Sequence, residues 1–242
     1  MIRVQEVTKR FADVVAVQSL SFSAPDGAIT GLLGANGAGK TTTLRMIAGV
    51  SKPDAGAIAI GDASSRADAV ASRKCIGALL DHIGLYPRLT ARENLVYFAR
   101  LRGLRGAELE RRVERVLVDL GLRETADRRT GGFSQGQRMK AALGRALIHE
   151  PRHLLLDEPT NGLDVPAVRS LRGVLKRYRE AGACVILSSH VLGEVEDLCD
   201  RIVVLARGSV AGQGTRDELC AITDTDSLEG AFIALTGEAE EA

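Results

Sequence analysis

Gly34-Ala35-Asn36-Gly37-Ala38-Gly39-Lys40-Thr41 sets three glycines, a lysine and a hydroxyl at the spacing GxxxxGK[ST]. Glycines let backbone N–H groups turn inward around an anion, and a helix start just beyond them adds unpaired donors and partial positive charge. Lys40 then reaches the outer phosphates of a nucleotide, and the Thr41 hydroxyl can bind Mg²⁺. A second group, an acidic one, follows an apolar run, in Leu154-Leu155-Leu156-Asp157-Glu158. Neighbouring residues at a strand end point to opposite faces. One carboxylate can therefore sit beside Mg²⁺ and the other beside an attacking water.

The elements needed to position these groups are legible around them. Ala28-Ile29-Thr30-Gly31-Leu32-Leu33 reads as a buried strand before the phosphate loop. Beyond Lys40 the spacing turns helical, with Leu44, Ile47 and Val50 on one side, up to the turn signal Lys52-Pro53-Asp54-Ala55-Gly56. Ile2-Arg3-Val4 and Leu20-Ser21-Phe22 alternate as strands. From about Leu89 to Leu122 the pattern is helical throughout, through Leu95, Phe98, Leu101, Val113, Val116, Leu117 and Leu120. Strands resume at Leu154-Leu155-Leu156, Val185-Ile186-Leu187 and Ile202-Val203-Val204-Leu205, alternating with helices after Pro166 and His190. That alternation marks a parallel sheet. The tail from Asp217 holds one apolar patch, Phe232-Ile233-Ala234-Leu235, and reads as a single short capping helix with a frayed acidic end.

Composition narrows the class. The chain has 242 residues, 45% of them hydrophobic, and 32 basic against 31 acidic side chains for a net charge of +1. One large α/β domain or two lobes fit this length without disulfides or metals, and collagen, disorder and small disulfide scaffolds are excluded. No apolar run approaches the ~18 to 20 residues of a spanning helix, and the start lacks a signal-peptide layout, so the chain is expected in the cytoplasm. Cys75, Cys184, Cys199 and Cys220 show no CxxC spacing and sit in apolar patterns, which reads as reduced, buried thiols. The arginine cluster from Arg100 to Arg129 is interleaved with Glu108, Glu110, Glu114, Asp119, Glu124 and Asp127. It reads as a solvated mixed-charge helix rather than a nucleic-acid surface.

Three further positions stay open on the residues alone. Ser134, in Gly132-Phe133-Ser134-Gln135-Gly136-Gln137, precedes a helix with the stripe Met139, Ala142, Leu143, Ala146 and Leu147. It is either an N-cap or part of a second anion site. Standing alone, His190 after a strand reads as a capping or packed histidine, and Asp164 is at least a helix-start residue ahead of Pro166.

The order of these motifs closely resembles the ATP-binding cassette of ABC transporters, over about Val4 to Gly214. The phosphate loop comes first. Ser134-Gln135-Gly136-Gln137 then takes the place of the family signature, followed by Asp157-Glu158, Asn161-Gly162-Leu163-Asp164 and His190. The resemblance implies a P-loop NTPase α/β core with a mainly parallel sheet, an antiparallel β subdomain and an inserted helical subdomain. Residues 1–75 and 146–214 would form the ATP-binding core, 76–145 the helical subdomain with the signature, and 215–242 a capping tail.

It also implies an ATPase with ATP and Mg²⁺ as its ligands. Gly34, Asn36, Gly37, Gly39, Lys40, Thr41 and Thr42 would hold the phosphates. Thr41 and Asp157 would serve the metal, Asp157 through water, with Glu158 as general base and His190 as the switch histidine. Ser134, Gly136 and Gln137 would serve the nucleotide of a second ATP-binding subunit in a head-to-tail homo- or heterodimer, with Asp164 a dimer contact. Phe11 falls where the family places a ring against adenine, although a lone Phe in an apolar segment also reads as core. Asp81 replaces the family's usual loop glutamine, where an acid could approach Mg²⁺ but could not donate a hydrogen bond when ionised.

Within the family, the stretch Gly84 to Leu95 with Phe133 to Gln137 looks most like the sodium-extrusion (NatA) group among cassettes of ABC-2-type exporters. That implies a separate transmembrane permease of the ABC-2 type as partner and a peripheral place on the cytoplasmic face of the membrane. Related cassettes serve drug and antibiotic export. An ABC ATPase acting on DNA or ribosomes is the rival from another class, but such proteins carry long coiled coils, zinc knuckles or two joined cassettes. This sequence has one motif set and balanced charge, so no nucleic-acid partner is expected. In a P-loop kinase, the third option, Ser134 to Gln137, Asp164 and His190 would all be coincidences.

Overall fold

The computed structural model describes residues 1–61, 63–64, 74–80 and 84–237. Strands β1 (Ile2–Phe11), β2 (Val14–Ala24), β4 (Ala55–Ile60) and β5 (Ala63–Ser64) form an antiparallel sheet in the order β2-β1-β4-β5. In β1, Ile2 and Val4 are buried while Arg3 and Gln5 face out, the alternation of a sheet covered on one side.

Among the described residues, six strands build the second sheet: β3 (Ala28–Leu33), β6 (Ile76–Leu79), β7 (His153–Asp157), β8 (Cys184–Ser189), β9 (Arg201–Ala206) and β10 (Ser209–Gly214). Their order is β10-β9-β3-β8-β7-β6, parallel throughout except for the antiparallel edge strand β10. Ile76–Leu79, at the head of the 76–145 segment, is thus an edge of this sheet beside β7. Every residue of β7 and β8 is buried, as expected of parallel strands covered on both faces. The pleat divides their side chains between two cores. Leu154, Leu156, Val185 and Leu187 meet one core, and Leu155 and Ile186 meet the other.

The first core is closed by helices α2 (Ala91–Leu101), α3 (Gly106–Asp119), α4 (Gln135–Leu147) and α5 (Val165–Glu180). The second is closed by α1 (Lys40–Ile47) and the antiparallel sheet. Thr90 and Glu93 close a capping box at the start of α2, the arrangement expected of Thr-x-x-Glu. On α3, Leu109, Val113, Val116 and Leu117 are buried, and Arg112 and Arg115 pair with Glu108 and Asp119 on its outer face. The arginine cluster is therefore the mixed-charge surface that its composition implies.

Three expectations need correction. Helix α1 ends at Ile47, and Val50 lies beyond Gly49 with φ +71° and is exposed, so it does not join the apolar face of Leu44 and Ile47. Of the four cysteines, Cys184 and Cys220 are buried, Cys199 is half-buried and Cys75 is exposed. The tail forms two helices, α7 (Arg216–Thr223) and α8 (Leu228–Thr236), instead of one; α6 is Leu192–Leu198. Asp224, in the left-handed region at φ 54°, ends α7, and Ser227 caps α8. The Thr215-x-x-Glu218 capping box is a sequence signal for the first of these helices.

Candidate functional site

The phosphate loop joins β3 to α1, so the N-terminal turn of α1 faces the end of the parallel sheet. Its glycines are required by close packing and by conformation. A Cβ on Gly34 would stand 2.5 Å from the Leu205 carbonyl oxygen, and Gly39 has φ +99° with Ala16 O 2.8 Å from where its Cβ would lie. Both backbones are pressed against the frame. Asn36 and Gly37 form the exposed tip, and Gly37 also has φ +85°.

Lys40 is buried, and its Nζ donates to Gly34 O at 2.6 Å and Ala35 O at 3.1 Å and stands 3.5 Å from Glu158 Oε1. Its neighbour Thr41 donates from Oγ1 to Asp157 Oδ2 at 2.7 Å. The other Asp157 oxygen, Oδ1, accepts from Ser188 Oγ at 2.5 Å, and Ser188 Oγ accepts from the Glu158 backbone N–H at 3.0 Å. Glu158 itself is left-handed, at φ 46°. Its Oε2 lies 2.9 Å from His190 Nδ1; an ionised carboxylate only accepts, so this imidazole nitrogen carries the proton. Lys40, Thr41, Asp157, Glu158 and His190 are thus one hydrogen-bonded and ionic chain.

Parallel register explains why Ser188 belongs to it. β7 and β8 pair Asp157 with Ser188, which places the hydroxyl beside the carboxylate. Sequence reasoning missed Ser188, because a serine at the end of an apolar strand carries no pattern of its own. It also missed Glu194, whose Oε2 accepts from Thr160 Oγ1 at 2.7 Å and from Ser189 Oγ at 3.0 Å.

Phe11 is about half exposed, and its ring lies 5.4 Å from the Lys9 ammonium. It does not join the core. With Thr42, Arg45, Val50, Ser51, Ala78, Leu80 and Arg145 it lines a cleft of about 460 Å³ on the flank of the phosphate loop. An accessible ring beside that loop is what stacking on a flat base requires.

A second group stands apart. Ser134 caps α4 in a reciprocal capping box with Gln137, at 3.2 Å from Gln137 N and 3.1 Å from Gln137 Oε1 to Ser134 N. The N-cap reading of Ser134 therefore holds. Gly136 lies against the turn that precedes α5, with Gly162 O 3.5 Å from the position of a Cβ, an ordinary contact. Asp164 caps α5 by accepting from Ala167 N at 2.9 Å. Among the described residues, no hydrogen bond or ion pair joins Ser134, Gly136 or Gln137 to the phosphate loop. Asp81 lies outside the described residues.

A strand, a glycine-walled anion loop, a helix start with lysine and threonine, and an Asp-Glu pair at the end of a parallel strand of the same sheet define a P-loop nucleoside triphosphatase. The model of the ABC transporter family matches residues 17–161, and the chain belongs to that family. It is similar to the ABC transporter ATP-binding protein NatA of Bacillus subtilis (strain 168), 38% identical over 97% of both chains. It is also similar to the linearmycin resistance ATP-binding protein LnrL of the same organism, at 36% identity over 94% of this chain and 73% of that one. A solved ATP-binding subunit of an ABC transporter superposes with a TM-score of 0.91 at 30% identity, covering 97% of this chain and 99% of the other. A dimeric ATP-binding cassette in a post-hydrolysis state, bound to ADP and Pi, superposes with a TM-score of 0.82 at 25% identity, over 89% and 98%. The chain is accordingly an ATP-binding, ATP-hydrolysing subunit of a transporter. No helix among the described residues is long and apolar enough to cross a membrane.

Proposed function

We propose that this ATPase powers an ABC-2-type exporter through ATP-driven closure of a head-to-tail dimer, seated on the cytoplasmic face of the membrane against a separate transmembrane permease. The observation that carries the hydrolytic part is the continuous chain Thr41–Asp157–Ser188–Glu158–His190 with Lys40 at its side. Gly34, Asn36, Gly37, Gly39, Lys40, Thr41 and Thr42 cradle the phosphates, and Phe11 stacks on the adenine. As water oxygen bonds to the γ-phosphorus and the bond to the ADP oxygen breaks, Glu158 takes the water proton and His190 holds the carboxylate in place.

Thr41 Oγ1 and Asp157 Oδ2, 2.7 Å apart, are hard oxygen donors at the foot of the phosphate loop. They suit Mg²⁺, which takes one or two protein oxygens and completes its shell with phosphates and water. Asp157 would act through water. Bound there, the ion would neutralise charge on the phosphate oxygens.

Ser134, Gly136 and Gln137 complete the nucleotide site of a second subunit, and Asp164 lies at that contact. Gly136 supports this, because among the described residues its missing Cβ would meet only ordinary contacts at 3.5 Å and beyond. The proposed division is a core of residues 1–75 and 146–214, whose sheet β6 joins at its edge, a helical lobe around α2 to α4, and the two-helix tail. For the cargo, resemblance to the sodium-extrusion group supports Na⁺. A drug is the second reading, supported by the 36% identity to a linearmycin resistance protein.

The test is Glu158→Gln. It should bind ATP, nearly stop turning over, and run as a dimer with MgATP on size exclusion. Parent-like hydrolysis by that variant would remove Glu158 from the role of base. Purification of the tagged chain from detergent-solubilised membranes should bring a polytopic protein with it. Recovery with ribosomes or DNA instead would overturn the exporter reading.

A further inference from the structure

We propose that Glu194 is a positioning residue for hydrolysis, holding the Glu158 loop and the His190 loop at a fixed separation from a third element, α6. The inference rests on the assignment of Glu158 and His190 above. Glu194 lies in the first turn of α6, where the helix dipole favours an anion. One of its oxygens, Oε2, takes two hydroxyl hydrogens, from Thr160 Oγ1 at 2.7 Å and Ser189 Oγ at 3.0 Å. Thr160 follows Glu158 by two residues, and Ser189 directly precedes His190.

The Ser189 hydroxyl also accepts from Val191 N at 3.0 Å, so it grips the chain on the far side of His190. Ser189 is fully buried and Thr160 nearly so. Their hydroxyls gain most from this shared carboxylate, because a buried hydroxyl without a partner is costly. Glu158 and His190, by contrast, are the more solvent-accessible pair, with side chains 23% and 47% exposed. Their 2.9 Å contact is steadied from behind through the buried Ser189 and Thr160 hydroxyls. Glu194 is that brace, since it touches both loops without touching either functional side chain.

The experiment compares ATP turnover and nucleotide affinity of the full chain for Glu194→Ala, Glu194→Gln, Thr160→Val and the double variant Glu194→Ala/Thr160→Val. Glu194→Ala should lower kcat about tenfold with KM within about twofold, the signature of misplaced chemistry rather than lost binding. Glu194→Gln, whose amide oxygen can accept both hydroxyls, should stay within about threefold of the parent. The double variant should be no worse than Glu194→Ala alone, because groups acting as one unit are not additive. Parent-like kcat in Glu194→Ala, a loss confined to KM, or equal losses in the Ala and Gln variants would each overturn the proposal. Glu158→Gln assayed alongside separates the two claims: an active Glu158→Gln refutes the base assignment, whereas an inactive Glu158→Gln beside a fully active Glu194→Ala refutes only the brace.

Discussion

Ser188→Ala removes one hydroxyl and breaks two contacts that meet at the acidic pair. Ser188 Oγ donates to Asp157 Oδ1 at 2.5 Å and accepts from Glu158 N at 3.0 Å, and Ser188 is fully buried while Asp157 is 7% exposed. A hydrogen bond to a charged acceptor is worth about 1.5 to 3 kcal/mol, and a backbone N–H left without its partner costs about 1 to 3 kcal/mol. Because Asp157 keeps Thr41 and the loop can relax, the net loss should be about 3 kcal/mol. For a chain of this size that lowers the melting temperature by about 6 to 12 °C. Turnover should fall further than stability implies. Glu158 sits in the left-handed region at φ 46°, and the Ser188 contact holds its backbone N–H while Asn161 N donates to its carbonyl. A base displaced by about 1 Å costs on the order of 100-fold in kcat. Thermal denaturation and steady-state hydrolysis of Ser188→Ala check both numbers. Ser209→Ala serves as control, since its hydroxyl donates to Gln18 O near the surface and its loss should cost no more than about 1 kcal/mol. A Ser188→Ala protein that melts within about 2 °C of the parent and keeps its kcat would refute the reasoning.

Gly34→Ala should cost about 2 kcal/mol and weaken nucleotide binding, because its Cβ meets the Leu205 carbonyl at 2.5 Å. Gly136→Ala, with 3.5 Å of room, should melt like the parent and lose turnover only where dimers form, which melting curves and concentration-dependent ATPase assays distinguish. Burial, reinforced by the Arg102 and Arg112 guanidinium groups, pulls the His149 imidazole down from 6.5 to about 4. The unfolded chain then binds a proton that the folded chain refuses, so stability is full above about pH 6.5 and falls by up to about 3 kcal/mol as pH drops towards 4. Melting temperatures across that range should slope for the parent and slope less for His149→Gln, the remainder including His153, which burial also pulls down. A maleimide reagent at mildly alkaline pH should label Cys75 at once, while Cys184 and Cys199, whose thiols burial pushes up to about 12, stay unreacted until the protein unfolds. Mass mapping of the labelled peptides reads this out.

Chemistry that depends on adjacent residues was open to reading from the sequence; chemistry that depends on neighbouring strands was not. The phosphate loop needs its glycines, Lys40 and Thr41 within eight residues, and the anion it binds dictates each type. Asp157 and Glu158 follow a strand whose hydrophobicity announces it. Ser188 and Glu194 reach the same site from 31 and 34 residues away from their partners, across parallel register and a loop. Serine, threonine and glutamate occur everywhere on surfaces, so their types alone say nothing. The two tail helices left a fainter trace, in the Thr215 and Ser227 caps, which the single apolar patch at Phe232 to Leu235 outweighed. Val50 misled for a local reason. Helical spacing continues past Ile47, but Gly49 turns the chain out of the helix first.

The end of β8 shows how little sequence is needed to build such a site once register is fixed. Ser188, Ser189 and His190 are consecutive, and the pleat sends alternate residues to opposite sides. Ser188 and His190 turn to the acidic pair at the end of β7, one to Asp157 and the Glu158 backbone, the other to the Glu158 carboxylate. Ser189 turns away, to Glu194 on α6. Three neighbouring polar residues thus hold Asp157, Glu158 and Glu194, the proposed metal-side acid, base and brace. A register slip of one residue between β7 and β8 would exchange the two faces and present Ser189 to Asp157 while His190 turned from Glu158. The apolar side chains make that slip costly. Val185 and Leu187 pack in one core and Ile186 in the other, so moving the polar trio would drive all three into the wrong layer. The buried hydrophobic pattern of β8 therefore fixes the geometry of the polar residues that follow it.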